Sequence, residues 1–134
     1  MGRTALLGDA CHPTLPHLAQ GAAQAIEDAA VLAAVLDLCP DDSGESVGKA
    51  LRVYEMVRKE RAEMLVELAA ASGRALHLGD GEAKKERDRQ FKEGKVPDKW
   101  ADADVQREIY GCDIVAVAEE GFAEMFKSLS EEVM

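Results

Sequence analysis

The sequence lacks any apolar run close to the roughly 20 residues that a membrane-spanning helix requires. Its N-terminus also lacks the basic segment, apolar core and cleavage site of a secretory signal. The three cysteines, Cys11, Cys39 and Cys112, cannot all pair within the chain, and their spacing matches no disulfide framework. For a chain of 134 residues we therefore expect one soluble domain with reduced thiols and a cytoplasmic location.

Positive charge is scarce as well. Lysine and arginine together number 16 against 26 acidic residues, which gives a formal net charge of −10. Because binding to a phosphate backbone relies on clustered basic side chains, this balance argues against nucleic acid as a partner.

Metal-binding and nucleophilic motifs are also missing. Cys11, His12 and His17 lie close together, but their spacing matches no zinc pattern and no second ligand pair follows. No Ser-His-Asp or Cys-His arrangement is recognisable either. We therefore predict no metal site and no catalytic side chain.

The patterns that are present predict a mainly α chain with one short N-terminal strand and about four to five helices. A short apolar run over Arg3–Leu7 predicts the strand, and a small-residue stretch from Gln20 to Leu38 predicts a helix. Three further helices are expected: a long one with Ser46 as its N-cap and Leu76 near its end, an exposed one over Glu82–Glu93, and an amphipathic one within Ile109–Phe126. Trp100 is expected to anchor the loop that follows the exposed helix.

The segment between the predicted strand and the first helix, GDACHPTLPHLAQG, has an unusual composition. Pro13 and Pro16 fix their own φ angles and favour extended neighbours, so the segment should be stiff and without ladder hydrogen bonds. The helix that follows begins near Gly21 and Ala22, which are too small to keep a planar group away from its free amides. Asp9, at the strand end, is placed to accept hydrogen bonds from hydroxyl groups of a ligand.

This segment resembles the second FAD-binding motif of aromatic-ring flavoprotein monooxygenases, in particular the salicylate-hydroxylase-like enzymes of fungi. The resemblance is close from Gly2 to about Leu36 and weaker over residues 74–81 and 100–113. It implies that Asp9 hydrogen-bonds the ribityl chain of FAD, that the amides near Gly21 and Ala22 face the pyrimidine edge of the flavin, and that Pro16 lines the ring. Ala23 stands where many relatives have asparagine. The implied cofactor-binding residues are Gly8, Asp9, Pro16, Gly21, Ala22 and Ala23.

The resemblance also implies that the chain is the C-terminal part of an α/β, Rossmann-like FAD-binding monooxygenase fold, and it implies an activity. In that family NAD(P)H reduces FAD, and oxygen then reacts with the reduced flavin to hydroxylate a small aromatic substrate. The Gly-x-Gly-x-x-Gly turn that holds the pyrophosphate does not occur in this chain. We therefore expect residues 1–39 to be the second half of an FAD-binding domain and residues 40–134 to be a helical region packed on it. A missing N-terminal half is a further expectation, and the isolated chain is expected to be inactive.

Two alternatives stay open from the sequence. In the first, the chain is a small acidic helical interaction protein or a separately encoded half that needs a partner. In the second, the chain does not fold stably alone. Among the remaining polar residues, Glu27 and Asp28 are expected to complement the helix dipole, and His12 to pack or hydrogen-bond beside the loop. His17 is expected at the edge of the flavin ring, and His77 in a structural turn.

Overall fold

The computed structural model describes residues 2–95 and 101–131. Its helices are α1 (Gly21–Asp37), α2 (Gly44–Leu76), α3 (Glu82–Lys92), α4 (Ala103–Tyr110) and α5 (Ile114–Glu131). Two short 3-10 turns, Gly8–Ala10 and Pro16–Leu18, precede α1. The predicted mainly α character is confirmed within these residues.

The core lies where α1, α2 and α5 pack together. Its buried side chains are mostly aliphatic, with two aromatic rings among them, since one face of each helix is turned inwards. They are Val31, Val35, Ala50, Val53, Tyr54, Ile114, Ala118, Phe122 and Leu129. The N-terminal segment packs on two of these helices, its first 3-10 turn on α1 and its second on α2.

The strand predicted over Arg3–Leu7 is not formed. Leu7 has extended dihedral angles, with φ −131° and ψ 148°, but residues 3–7 have no ladder partner in the described part of the chain. An extended segment becomes a strand only when a neighbour satisfies its backbone groups. The segment is instead held by Tyr54, whose hydroxyl donates to the Leu6 carbonyl over 3.0 Å.

The helix boundaries follow the sequence closely, except in two places. The cap of α2 is Ser43 rather than Ser46, because the Ser43 hydroxyl accepts the Ser46 amide over 3.2 Å. The last amphipathic helix, expected within Ile109–Phe126, is α5 and begins at Ile114, whereas α4 was not predicted and ends just before Gly111. A Cβ at Gly111 would lie 2.5 Å from the Arg107 carbonyl oxygen, so this tight helix end requires glycine.

The other predicted elements are confirmed to within a residue or two. Helix α1 lies inside the predicted span, α2 ends at Leu76 as expected, and α3 has no buried residue. The loop role predicted for Trp100 lies outside the described residues. Over the described ranges, no helix combines the length and the apolar character needed to cross a bilayer.

Candidate flavin-facing corner

The turn that carries Asp9 depends on the backbone of Gly8. Gly8 has φ +56°, a left-handed conformation that disfavours side chains, and a Cβ added there would lie 3.1 Å from Cβ of Ala25. Gly8 is buried against α1, whereas the next residue, Asp9, is exposed. The Asp9 carboxylate has no hydrogen-bond partner among the described residues. The turn therefore presents a free carboxylate from a fixed backbone.

The start of α1 lies beside this turn. Its N-cap, Gln20, makes no side-chain capping bond, and no acceptor for the amides of Gly21, Ala22 and Ala23 is found in residues 2–95 and 101–131. Thr14 of the preceding loop lies beside Gly21, 4.0 Å from a Cβ added there. The first turn of α1 therefore offers free donors and the positive end of the helix dipole, with only small side chains around them.

The predicted binding residues thus differ in exposure but share one region. Gly8 is buried, Gly21 and Ala23 are half-buried, and Asp9, Pro16 and Ala22 are exposed. Pro16 begins the 3-10 turn that leads to α1. None of these placements conflicts with the sequence-based assignment, which remains a prediction about the ligand.

A buried ionic cluster, which sequence reasoning missed, supports this corner. The Asp28 carboxylate is 0% exposed and accepts the Gly8 amide over 2.8 Å, His12 Nε2–H over 2.6 Å and Arg58 Nε–H over 2.7 Å. Asp28 was expected only to complement the helix dipole, and the structure gives it a larger role. The Glu-Asp pair on α1 and the two arginines spaced three apart on α2 were the available signal.

Glu27 and the second arginine extend the cluster. Arg61 donates from Nε and Nη2 to the two oxygens of Glu27, each over 2.8 Å, in a bidentate pair. Its Nη1 and Nη2 also donate to the carbonyls of Glu108 and Ile109 near the end of α4. Arg61 on α2 therefore ties α1 to α4, while Arg58 on α2 holds Asp28, the α1 residue that accepts the Gly8 amide.

These contacts decide the charge of the two carboxyl groups. Burial alone would raise the pKa of Asp28, but its hydrogen bonds to the Gly8 amide, Arg58 and His12 outweigh burial and lower that pKa below its usual value. Burial likewise opposes ionisation of Glu27, and its pairing with Arg61 and Arg58 lowers its pKa overall. Both groups are therefore ionised at neutral pH.

The cluster does not favour a metal ion. Ligand atoms of Cys11, His12 and Asp28 lie within 4.8 Å of one another. The Asp28 oxygens are however already engaged by N–H donors, and the adjacent Arg58 guanidinium would repel a cation. Burial, followed by the charge of Asp28, raises the pKa of the Cys11 thiol and so disfavours the thiolate that a metal requires.

The two other histidines lie together at the far end of α2. The ring centroids of His17 and His77 are 4.9 Å apart, and Nε2 of His17 lies 2.6 Å from where a Cβ of Gly73 would be. The His77 amide donates to the Gly73 carbonyl over 3.0 Å and caps α2, in agreement with a structural role. His17 thus seats the Pro16–Leu18 turn on α2, and its expected position at the ring edge stays a prediction.

A cavity of about 470 Å³ lies between residues 2–6 and α2. His12, Asp28, Tyr54 and Arg58 are among its lining residues. Nδ1 of His12 is buried and has no hydrogen-bond partner in the described part of the chain. The same is true of Nε2 of Gln24, a residue that does not line this cavity.

Tyr54 gives the cavity a measurable signature. Burial first, and then the negative charge of Asp28, raises the pKa of Tyr54 to about 12. Tyrosine in an unfolded chain ionises near pH ~10, so this group stabilises the fold fully below that pH and loses its contribution as pH rises towards about 12. The phenolate absorbance of Tyr54 is obtained as the difference between the titrations of the wild-type chain and the Tyr54→Phe variant. We expect the midpoint of this difference near pH 12. A midpoint near that of free tyrosine would contradict the buried environment.

Comparison with known proteins finds a matching family and several similar enzymes. The family model described as FAD binding domain matches residues 1–69. The FAD-dependent monooxygenase atnJ of Arthrinium sp is 40% identical over 123 residues, covering 91% of this chain and 29% of that protein. The 3-amino-4-hydroxybenzoate 2-monooxygenase PtnB3 of Streptomyces platensis is 42% identical over 100 residues, covering 75% and 24%.

A shorter match reaches higher identity. The 6-hydroxynicotinate 3-monooxygenase of Bordetella bronchiseptica is 52% identical over 61 residues, covering 46% of this chain and 15% of that protein. The chain thus spans 29% or less of the length of these curated relatives. On the family match over 1–69 and these identities, the chain belongs to the FAD binding domain family of the FAD-dependent monooxygenases.

Proposed function

We propose that this chain forms the flavin-facing corner of an FAD-dependent monooxygenase that hydroxylates a small aromatic substrate with NAD(P)H and O2. The observation that carries the proposal is the free donor edge of α1 beside the free Asp9 carboxylate, both attached to one buried cluster. FAD, when bound, would supply the redox chemistry, so the protein needs no nucleophilic side chain here.

The residues of the corner fit parts of FAD that differ in chemistry. The Asp9 carboxylate would accept hydrogen bonds from ribityl hydroxyl groups, because it is exposed and has no partner among the described residues. The amides of Gly21, Ala22 and Ala23 would stabilise negative charge on the pyrimidine edge, as an oxyanion hole stabilises a tetrahedral intermediate. The exposed Pro16 ring would line the flavin.

The names of two relatives support an aromatic substrate. They are monooxygenases of 3-amino-4-hydroxybenzoate and of 6-hydroxynicotinate. Both names describe a small aromatic ring that carries a carboxylate and a hydroxyl group. We propose a substrate of that general class.

We also propose a cytoplasmic location for the protein, because Cys11, Cys39 and Cys112 form no disulfide and reduced thiols suit the cytoplasm.

Two features of the surface support the proposal that a further part of the enzyme packs against this chain. Residues 3–7 have no ladder partner among the described residues, and the exposed face of α1 is an apolar stripe of Ala22, Ile26, Ala29, Ala33 and Leu36. Ile26 alone is 70% exposed. We propose that residues 1–39 complete an FAD-binding domain, in which residues 3–7 join a sheet and this stripe is covered, while residues 40–134 pack on it.

A chimaera tests the proposed function. This chain would replace the matching part of atnJ, and the purified chimaera is expected to be yellow and to oxidise NAD(P)H. The chain alone is expected to be colourless and inactive but helical. A chimaera that folds without FAD would contradict the proposal and favour the second candidate, a helical interaction protein that uses the exposed stripe of α1 to bind its partner.

A further inference from the structure

We infer that Arg58 is a positioning residue for the flavin, acting through Asp28 on the Asp9 turn and through Gln24 on the start of α1. The inference rests on the proposed function only in that these two places would face FAD. Arg58 itself would not touch the cofactor.

The contacts of Arg58 reach both places from one guanidinium group. Its Nε donates to Asp28 Oδ1 over 2.7 Å, and its Nη2 donates to Gln24 Oε1 over 2.7 Å and to the Gln24 carbonyl over 3.3 Å. Its Nη1 donates to Glu27 over 2.6 Å. The Arg58 side chain is 3% exposed, so these bonds are shielded from water and salt.

The contacts with Asp28 and Gln24 each lead to a protein group that is proposed to face the flavin. On one side, the second oxygen of Asp28 holds the Gly8 amide, and Asp9 is the next residue. On the other side, Gln24 lies one turn beyond Gly21. Its backbone amide donates the first helical hydrogen bond of α1 to the Gln20 carbonyl over 2.9 Å. The spacing between the carboxylate and the free amides is therefore set by a planar, rigid fork.

Arg61 provides a matched comparison. It lies one turn further along α2, is also buried, and also pairs with Glu27, but it donates no hydrogen bond to Asp28 or Gln24. Its other bonds go to α4. A role in stability alone would make the two arginines equivalent, whereas positioning distinguishes them.

The experiment measures amide exchange by NMR in the full chain and in the Arg58→Lys and Arg61→Lys variants. Lysine keeps the charge but loses the fork. In Arg58→Lys we expect the protection factor of the Gly8 amide to fall about tenfold or more, because one charge-assisted bond to Asp28 is lost. This fall is measured relative to any change in the protection factor of the Phe122 amide in the α5 core. In Arg61→Lys, Gly8 and Phe122 are expected to change together.

Equal loss at Gly8 in both variants, or no loss in Arg58→Lys, would overturn the inference. If Arg58→Lys does not fold, exchange in the wild-type chain tests the inference instead. The Gly8 amide and the Nε–H of Arg58 are then expected to exchange with the same opening free energy. Gly8 opening much more often than Arg58 would also overturn it. These measurements need no FAD, so a colourless chimaera would refute the proposed function while leaving the positioning role to be judged by exchange.

Discussion

Replacement of Asp28 by alanine is expected to lower the free energy of unfolding by about 3–5 kcal/mol, the usual cost of removing one partner from a buried ion pair. The variant would leave the Arg58 guanidinium, which is 3% exposed, without its Nε acceptor. It would also leave the buried Gly8 amide and His12 Nε2 without theirs. Urea denaturation followed by circular dichroism at neutral pH measures this loss.

A carboxylate at the other end of the same helix serves as the control. Asp37 is exposed at the end of α1, and Asp37→Ala is expected to change stability by no more than about 0.5 kcal/mol. Because folded proteins are stable by only about 5–15 kcal/mol, Asp28→Asn is the second variant if Asp28→Ala does not fold. A loss below about 1 kcal/mol in Asp28→Ala would show that the cluster contributes little.

The same cluster predicts the direction of the pH dependence. Because the pKa of Asp28 is lowered in the fold, its contribution is present above the ordinary value of 3.8 and is lost as pH falls through the lower folded value. The stability difference between the wild-type chain and Asp28→Ala should therefore narrow in acid.

The second large effect is expected at Asp9. In the chimaera with atnJ, Asp9→Ala is expected to abolish FAD retention, since a charge-assisted hydrogen bond contributes about 1.5–3 kcal/mol, equivalent to roughly tenfold to more than hundredfold in affinity. Helical content is expected to be intact, because the Asp9 side chain is exposed and has no partner among the described residues. Absorbance of bound flavin and circular dichroism on the same sample measure both quantities.

Another exposed loop aspartate controls for the change in charge. Asp42 lies between α1 and α2, and Asp42→Ala should retain FAD as the unmodified chimaera does. Asp9→Asn, which keeps an oxygen acceptor, is expected to be intermediate. Unchanged FAD retention in Asp9→Ala would refute the role assigned to Asp9.

Much of the fold was predictable from local patterns. The apolar spacing of α2 and the polar character of α3 are properties of neighbouring residues, and each predicted a helix whose end lies within one residue of the observed end. The N-cap at Ser43 and the break at Gly111 were harder, since a serine three residues away and a single glycine inside an amphipathic pattern are weaker signals.

The candidate site divides in the same way. Gly8, Asp9, Pro16 and the start of α1 were predicted from a motif contiguous in sequence. Arg58 was not, because it lies 30 residues beyond Asp28 and its pairing exists only when α2 packs against α1. The predicted strand failed for a related reason, since its backbone groups need a partner that the described residues do not contain.

The sequence by itself determined the helical elements, the family resemblance and the residues proposed to face the flavin, because each depends on residues close together in the chain. Only the tertiary structure decided that Glu27, Asp28, Arg58 and Arg61 form one buried cluster that holds the Gly8 turn against α1. The physical reason is that a charge on a helix face can be solvated or buried, and which one occurs depends on what packs against that face.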